Sequence, residues 1–271
     1  MAFQRAILPA VLSWADKLVM IGKYWNTYLI ACQCYIYYIA YTGAPSYYIK
    51  ARFFPTLLTV IPLLILVNVI IAPVYHNSLS QIFDILPIIT NLGLSGALIF
   101  LMVQVNRLVS KEVFQRFYFK DEINMPTTNH LLWSNSKIDN QTKAMIREKI
   151  QTHYSITLMD EESETLNELT CRKQVVTAVS QIRNSLRENK LLLQHNIEYG
   201  FFRNFLGGSL IAIVFSIAIL IYGNIQHDTT LVTTGTLLTI IYLTPILLSK
   251  ILINRYGNYY SKILYEQFLS I

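Results

Sequence analysis

Four stretches of the chain contain no Lys, Arg, Asp or Glu and are rich in large apolar side chains. They cover residues 53–83, 85–106, 204–227 and 229–249. Each is longer than the roughly 20 residues that a helix needs to cross the hydrocarbon core of a bilayer. The pattern predicts an all-α membrane protein with four transmembrane helices paired in two hairpins. The predicted spans are 54–75, 83–104, 205–223 and 229–250.

The segments around these runs differ in charge. The two hairpin turns carry no Lys or Arg, whereas residues 1–53 carry five, residues 107–203 carry fourteen and the C-terminal segment carries three. Because Lys and Arg accumulate on the cytoplasmic side of membrane proteins, we expect both termini and the central segment to be cytoplasmic. Both turns would then lie outside.

This topology divides the chain into five parts. The central part is predicted to be a small helical cytoplasmic domain inserted between the two hairpins. In it, we expect Asp139 to cap one helix, and Asp160 to start another that runs to Leu186. The parts are an N-terminal segment 1–53, a first hairpin 54–106, the domain 107–203, a second hairpin 204–250 and a C-terminal cytoplasmic helix 251–271.

The N-terminal segment is predicted to lie in the membrane interface. Residues 3–23 mix apolar side chains with Arg5, Asp16 and Lys17, which indicates an amphipathic interfacial helix. Residues 24–49 are free of charge, but tyrosines dilute their hydrophobicity, and aromatic-rich helices prefer the interface. A fifth span over 24–49 stays open as the alternative.

Composition agrees with a membrane protein. Of 271 residues, 53% are hydrophobic and only 14% charged, whereas soluble domains carry nearer a quarter charged residues. The sequence contains no phosphate-binding loop, nucleophile elbow or metalloprotease motif. Its three cysteines, Cys32, Cys34 and Cys171, fit neither a disulfide framework nor a zinc site. We therefore expect a protein that is not an enzyme and holds no cofactor or metal.

Polar side chains inside the predicted spans are costly in lipid and usually face a partner or water. Asn91 and Ser95 share one stripe of the second span, and Thr233 and Thr236 share one stripe of the fourth. One interpretation is a pore, lined by these residues where several subunits meet. The other is helix packing, with threonine hydroxyls bonded to their own backbone. The stripe of the second span also includes Asp84, Ile88, Leu98, Met102 and Asn106.

Basic and aromatic residues cluster where the central domain leads into the third predicted span. Basic groups beside aromatic rings suit a nucleotide or single-stranded nucleic acid. They also suit anionic lipid headgroups next to a span, or a plain solvated helix. The candidate ligand-binding residues are Arg183, Arg187, Lys190, His195, Tyr199 and Arg203.

Three patterns in the central segment carry a resemblance: MPTTxxLL from Met125, IDxxTK from Ile138 and NIxYGFxRNxxG from Asn196. Over about 85 residues the chain resembles a group of bacterial multi-span membrane proteins that lack a recognised catalytic domain. Their architecture is similar to that of the membrane effectors of anti-phage systems that pair with a nucleotidyltransferase. In Hailong-type systems the effector resembles an oligomeric ion channel whose cytoplasmic domain binds a DNA oligomer. In CBASS-type systems a cyclic nucleotide is the ligand.

The resemblance implies a bacterial inner-membrane effector: a homo-oligomeric ion channel gated by a nucleotide or single-stranded DNA oligomer. A pore requires several subunits, most simply in a symmetric ring, and we expect a tetramer. The resemblance also implies a partner nucleotidyltransferase besides the lipid bilayer, and it carries over no ligand-contacting residue. Two alternatives stay open. One is a non-conducting scaffold that anchors a cytoplasmic defence complex, and the other is a small-solute transporter, which the lack of repeated, broken-helix halves disfavours.

Overall fold

The computed structural model describes residues 46–71 and 87–271, and every regular element in these two ranges is a helix. The all-helical class predicted from the sequence is confirmed for them. The amphipathic segment 3–23, nearly all of segment 24–49, both neighbouring cysteines Cys32 and Cys34, and the first hairpin turn lie outside the described residues.

The two helical runs that begin the described chain are irregular. α1 covers 46–71 and bends at Val60, and α2 covers 87–119. Both contain π-helical stretches, and α2 ends where Lys120 and Asp121 adopt positive φ of 44° and 62°. The segments of α1 are Ser46–Tyr48, Ile49–Phe53, Phe54–Thr59, Ile61–Ile65 and Leu66–Ile71, and those of α2 are Pro87–Val109, Ser110–Arg116 and Phe117–Phe119.

Four shorter helices form the central domain: α3 (Pro126–Asn129), α4 (Asn140–Tyr154), α5 (Glu161–Leu166) and α6 (Glu168–Ser185). Asp139 caps α4 as expected, since its carboxylate accepts a hydrogen bond from the Thr142 N–H at 2.8 Å. The helix predicted from Asp160 to Leu186 is instead two helices. Its break lies at Asn167, where the backbone leaves the helical region and the side chain caps α6 through the Thr170 N–H at 3.2 Å.

Three long helices complete the chain: α7 (Lys190–Ile225), α8 (Thr229–Leu247) and α9 (Ser249–Ser270). In the described part of the chain, α7 and α8 are long and apolar enough to cross a membrane. The third predicted span, 205–223, lies inside α7, and the fourth begins with α8 at Thr229 but outlasts that helix by three residues. Gly223 and Gly235 let the two helices pack closely as a hairpin, because a Cβ on Gly235 would lie 2.7 Å from the Leu220 backbone nitrogen.

The start of α7 and its later, apolar part pack against different helices. At its start, α7 joins a core that also includes α9, so the C-terminal helix packs as part of the central domain. Farther along, Ile211 and Phe215 pack against Phe53 of α1 and Ile99 of α2. The remaining faces of α7 and α8 expose large apolar side chains, as expected of surfaces that meet lipid or another subunit. The most exposed are Val214, Ile225, Leu247, Ile240 and Ile241.

Candidate functional site

A cavity of about 610 Å³ lies where α1, α2, α6, α7 and α9 meet. Four of the six residues predicted to bind a ligand line it: Arg183, Arg187, Tyr199 and Arg203. We call it the arginine cavity. These four residues come together because a short turn joins α6 to α7. The turn folds the end of α6 against the start of α7.

Arg183 on α6 is fixed at the cavity wall by contacts with the chain after α2. Its Nη1 donates to Glu122 Oε1 at 3.1 Å, and its Nη2 donates to Thr127 Oγ1 at 3.2 Å. Its Nε is buried and has no hydrogen-bond partner in the described protein. Arg183 is thus positioned by the protein at the cavity wall.

Arg203 on α7 is held in a similar way. Its Nη1 donates to Gln115 Oε1 of α2 at 2.9 Å, and its guanidinium carbon lies 5.6 Å from the centroid of the Tyr199 ring. Its buried Nε also has no hydrogen-bond partner among the described residues. The contact with Tyr199 falls within the range of a cation–π interaction.

The arginine cavity is positively charged, with three guanidinium groups against the single carboxylate of Glu122 on its lining. Arg187 is exposed and has no ion pair in the described structure. Burial raises the pKa of Tyr199 and of Tyr260, although nearby arginines oppose the rise. Both phenols therefore stay neutral and can donate an O–H to a ligand.

Lys190 and His195 do not line the cavity. Lys190 is the exposed first residue of α7, and His195 Nδ1 lies 3.5 Å from Glu198 Oε2. The face of α7 that reaches the cavity is set by Asn196, Tyr199 and Arg203, whose spacing of three and four residues places them on one side of a helix. His195 is turned to the edge of that face.

Sequence reasoning missed the residues that complete the lining. Tyr47, Gln115, Glu122 and Tyr260 come from segments far apart in the chain, so no local spacing could have found them. Asn196 could have been found, because it shares the helical spacing of Tyr199 and Arg203.

Next to the cavity, three helices meet around the buried side chain of Asn204. Its Nδ2 donates to the Ala51 carbonyl of α1 at 2.6 Å, and its Oδ1 accepts from Ser110 Oγ of α2 at 3.0 Å. Gly207, one turn along α7, allows this approach, because a Cβ there would lie 2.6 Å from the Asn106 carbonyl oxygen. We call this contact of α1, α2 and α7 the three-helix junction.

Asn106 extends the junction along α2. It is fully buried, and its Nδ2 donates to Thr56 Oγ1 at 3.2 Å and Thr59 Oγ1 at 3.0 Å. Met102, one turn earlier, is also buried. At these two positions the predicted polar stripe of α2 packs within the protomer rather than on its surface.

The four candidate pore residues divide between the two spans. The side chains of Asn91 and Ser95 lie outside the described residues. Thr233 and Thr236 are exposed on α8, and their hydroxyls donate to the carbonyls of Thr229 and Val232, each at 2.8 Å. These bonds satisfy the hydroxyl hydrogens inside the helix, so the exposed face can lie against either water or lipid.

Within the described ranges no group of three or more His, Cys, Asp or Glu side chains could hold a metal ion. Cys171 is buried beside Glu164, and burial raises the pKa of its thiol, which disfavours the reactive thiolate.

Comparison of the chain with protein-family models, curated proteins and solved structures finds no match. The chemistry of the arginine cavity is therefore the main guide to function.

Proposed function

We propose that the chain is one subunit of an oligomeric ion channel that acts as an anti-phage effector in the bacterial inner membrane. Its gating ligand is a nucleotide, or the end of a single-stranded DNA oligomer, bound in the arginine cavity and made by a partner nucleotidyltransferase. The subunit has four spans in two hairpins, with both termini and the central domain in the cytoplasm. A symmetric ring is the simplest assembly for a pore, and a tetramer is the favoured form.

One observation carries the proposal: Arg183, Arg187, Tyr199 and Arg203 converge on a single cavity. Its volume of about 610 Å³ falls in the usual range for small-molecule sites, roughly 300–1,000 Å³. Guanidinium groups are suited to phosphate oxygens, and tyrosine rings are suited to a base. A cavity of this size suits one compact nucleotide better than a long strand.

The path from ligand to membrane supports gating. Tyr199 and Arg203 lie on α7, which continues without a break to Ile225 through its apolar segment. A phosphate that binds Arg203 competes with Gln115, and one that binds Arg183 competes with Glu122. The first change would alter how α7 packs against α2, which contains the second predicted span, and the other would alter how α6 packs against the turn that follows α2.

A water path is proposed to form between several subunits, because Phe53 and Ile99 are buried where the described parts of α1, α2 and α7 pack together. The exposed threonine face of α8 gives each subunit a polar surface to contribute. Thr233 and Thr236 are its central residues, and Asn91 and Ser95 of α2 are the second candidate lining.

The test is conductance of the purified full chain in planar bilayers, with a cyclic dinucleotide and a short single-stranded DNA oligomer as probes. We expect one probe to change the conductance, and Arg183→Gln with Arg187→Gln to weaken its effect about tenfold or more. The matched control is Arg116→Gln with Lys173→Gln, which removes two exposed charges outside the cavity.

Three outcomes would contradict the proposal. A bilayer-inserted protein without conductance under either probe would favour the scaffold, and substrate-coupled flux would favour the transporter. An equal loss of response in the control variant would show that the cavity is not the ligand site.

A further inference from the structure

The hydrogen bonds of Asn204 fix the register of three helices. Its side chain joins the Ala51 carbonyl of α1 and the Ser110 hydroxyl of α2, so these positions lie at one level beside residue 204 of α7. The residue next to each of the three in sequence is a cation. These cations are Arg52, Lys111 and Arg203, and Arg107 lies one helical turn before Lys111.

The level of these cations coincides with the ends of the charge-free runs. Arg52 directly precedes the run 53–83, Arg107 directly follows the run 85–106, and Arg203 directly precedes the run 204–227. Three separate helices therefore change from charged to apolar sequence at the three-helix junction. In the proposed topology this level is the cytoplasmic boundary of the membrane.

Within the described ranges, the cations at this level have no carboxylate close enough to neutralise them. Among the described residues, none of the four lies within ion-pair distance of an Asp or Glu, and the neighbouring Glu112 is paired with Arg116 at 3.0 Å. Partial burial lowers the pKa of Lys111, and so does the positive charge of the three arginines. Crowded like charges of this kind are stabilised by an anion.

Apolar side chains next to the cations are not covered by the described part of the protein. Phe54 and Leu58 follow Arg52 on α1, and Leu108 and Leu101 flank Arg107 on α2, with exposed fractions of 43% to 61%. A ligand with a phosphate and an acyl chain would match both surfaces, whereas free phosphate would match only the cations.

We propose that Arg52, Arg107 and Lys111, together with Arg203, bind the headgroup phosphate of an anionic phospholipid in the cytoplasmic leaflet. The site is distinct from the arginine cavity, with which it shares only Arg203. It rests on the membrane placement in the proposed function, but not on conduction or on a nucleotide ligand. Lipid bound here would hold α1, α2 and α7 together at the junction.

The experiment uses the full chain in phosphatidylcholine nanodiscs with or without phosphatidylglycerol, and native mass spectrometry measures which lipid stays bound. We expect phosphatidylglycerol to be retained in preference to phosphatidylcholine. Each cation near an anionic surface contributes about fivefold to affinity, so Arg107→Gln with Lys111→Gln should lower retention about 25-fold. Lys173→Gln with Lys262→Gln, which removes two exposed charges elsewhere, should leave retention unchanged.

A charge-preserving pair, Arg107→Lys with Lys111→Arg, separates charge from folding and should retain phosphatidylglycerol. The inference is overturned if the glutamine pair retains this lipid as the native chain does, or if the charge-preserving pair loses it as fully. Displacement of the lipid by glycerol phosphate at equal affinity would show a site for soluble phosphate instead. A chain that does not enter the bilayer contradicts the proposed function, whereas an inserted chain without lipid preference contradicts this inference alone.

Discussion

Arg203 and Asn204 are consecutive residues of α7 and belong to two different sites. Arg203 donates to Gln115 at 2.9 Å in the arginine cavity, whereas Asn204 bonds Ser110 and the Ala51 carbonyl in the three-helix junction. Neighbouring residues of a helix are held in a fixed relative orientation by its backbone hydrogen bonds. A ligand that moves Arg203 would therefore act on the junction within the same helical turn.

The close contact of α7 with α2 at the junction depends on Gly207. A Cβ there would meet the Asn106 carbonyl oxygen at 2.6 Å and the Ser110 Cβ at 2.7 Å, and backbone atoms cannot move aside cheaply. We expect Gly207→Ala to lower the free energy of unfolding by about 1–3 kcal/mol. Thermal unfolding in mild detergent measures it.

Gly96→Ala is the matched control on α2, because apart from the adjacent residues and the backbone of its own helix no described atom lies within 4 Å of a Cβ at that position. It should be neutral, or stabilising by up to about 1 kcal/mol from helix propensity. Equal melting temperatures for the two variants would show that the helices do not approach as closely as described.

The central domain contains a buried ion pair between Glu164 and Arg147. Glu164 Oε2 lies 3.7 Å from Arg147 Nη2, and the carboxylate accepts the backbone N–H groups of Trp133 at 2.9 Å and Ser134 at 3.0 Å. Burial alone raises the pKa of Glu164, but these donors and the arginine outweigh it, so the net pKa is lowered. We expect Glu164→Gln to cost about 3–5 kcal/mol, because Arg147 stays buried with less compensation.

Chemical denaturation followed by circular dichroism measures this cost. Glu162→Gln on the same helix removes an exposed carboxylate and should change stability by less than about 0.5 kcal/mol. A Glu164→Gln protein as stable as this control would mean that the pair contributes nothing net.

We expect His130 to make the stability of the fold depend on pH. Its ring is buried, with Nε2 2.9 Å from Asn258 Oδ1 and Nδ1 2.9 Å from Ser261 Oγ. Burial lowers the pKa of His130 below its ordinary 6.5, although the Asn258 contact opposes the shift. The unfolded chain then binds more protons just below pH 6.5, so the contribution to stability is complete above that value and is lost as the pH falls.

We expect the melting temperature to fall between about pH 7.5 and about pH 5.5, and His130→Gln to reduce that fall. His153→Gln removes an exposed histidine of α4 and should preserve it. An unchanged pH dependence in His130→Gln would assign the effect to other groups.

The charge pattern predicted α7 and α8 well because a long charge-free run has few alternatives to a helix. It did not predict the break at Asn167, since asparagine is tolerated inside helices and becomes a cap only where the chain turns. The apolar spacing predicted for this helix agrees with burial in its second half, where Val175, Val179 and Ile182 are buried. It fails near the start of α6, where Leu169 is 54% exposed.

The sequence predicted part of the candidate ligand site, namely the residues that lie close together along the chain. Arg183, Tyr199 and Arg203 lie close together in the sequence, and this spacing alone predicted that they would cluster. Glu122, which pairs with Arg183, is 61 residues away, and only the fold of the domain brings the two together. Such long-range partners determine how much of a cation's charge is left for a ligand.

The threonine face of α8 is the candidate pore lining that the structure describes. Thr233→Val with Thr236→Val removes two hydroxyls while keeping nearly the same shape, and both hydroxyls bond only their own helix. Assembly should therefore be unaffected, whereas an apolar lining should expel water and lower the conductance. Bilayer recordings and the oligomer mass measure the two effects, and Thr239→Val, whose hydroxyl also bonds its own helix on a half-buried face, is the control. Native conductance with native assembly would remove α8 from the pore lining, and Asn91→Leu would then test α2. Lower conductance in an intact oligomer would place Asn91 in the pore lining. Weaker assembly would instead assign the Asn91 amide to helix packing.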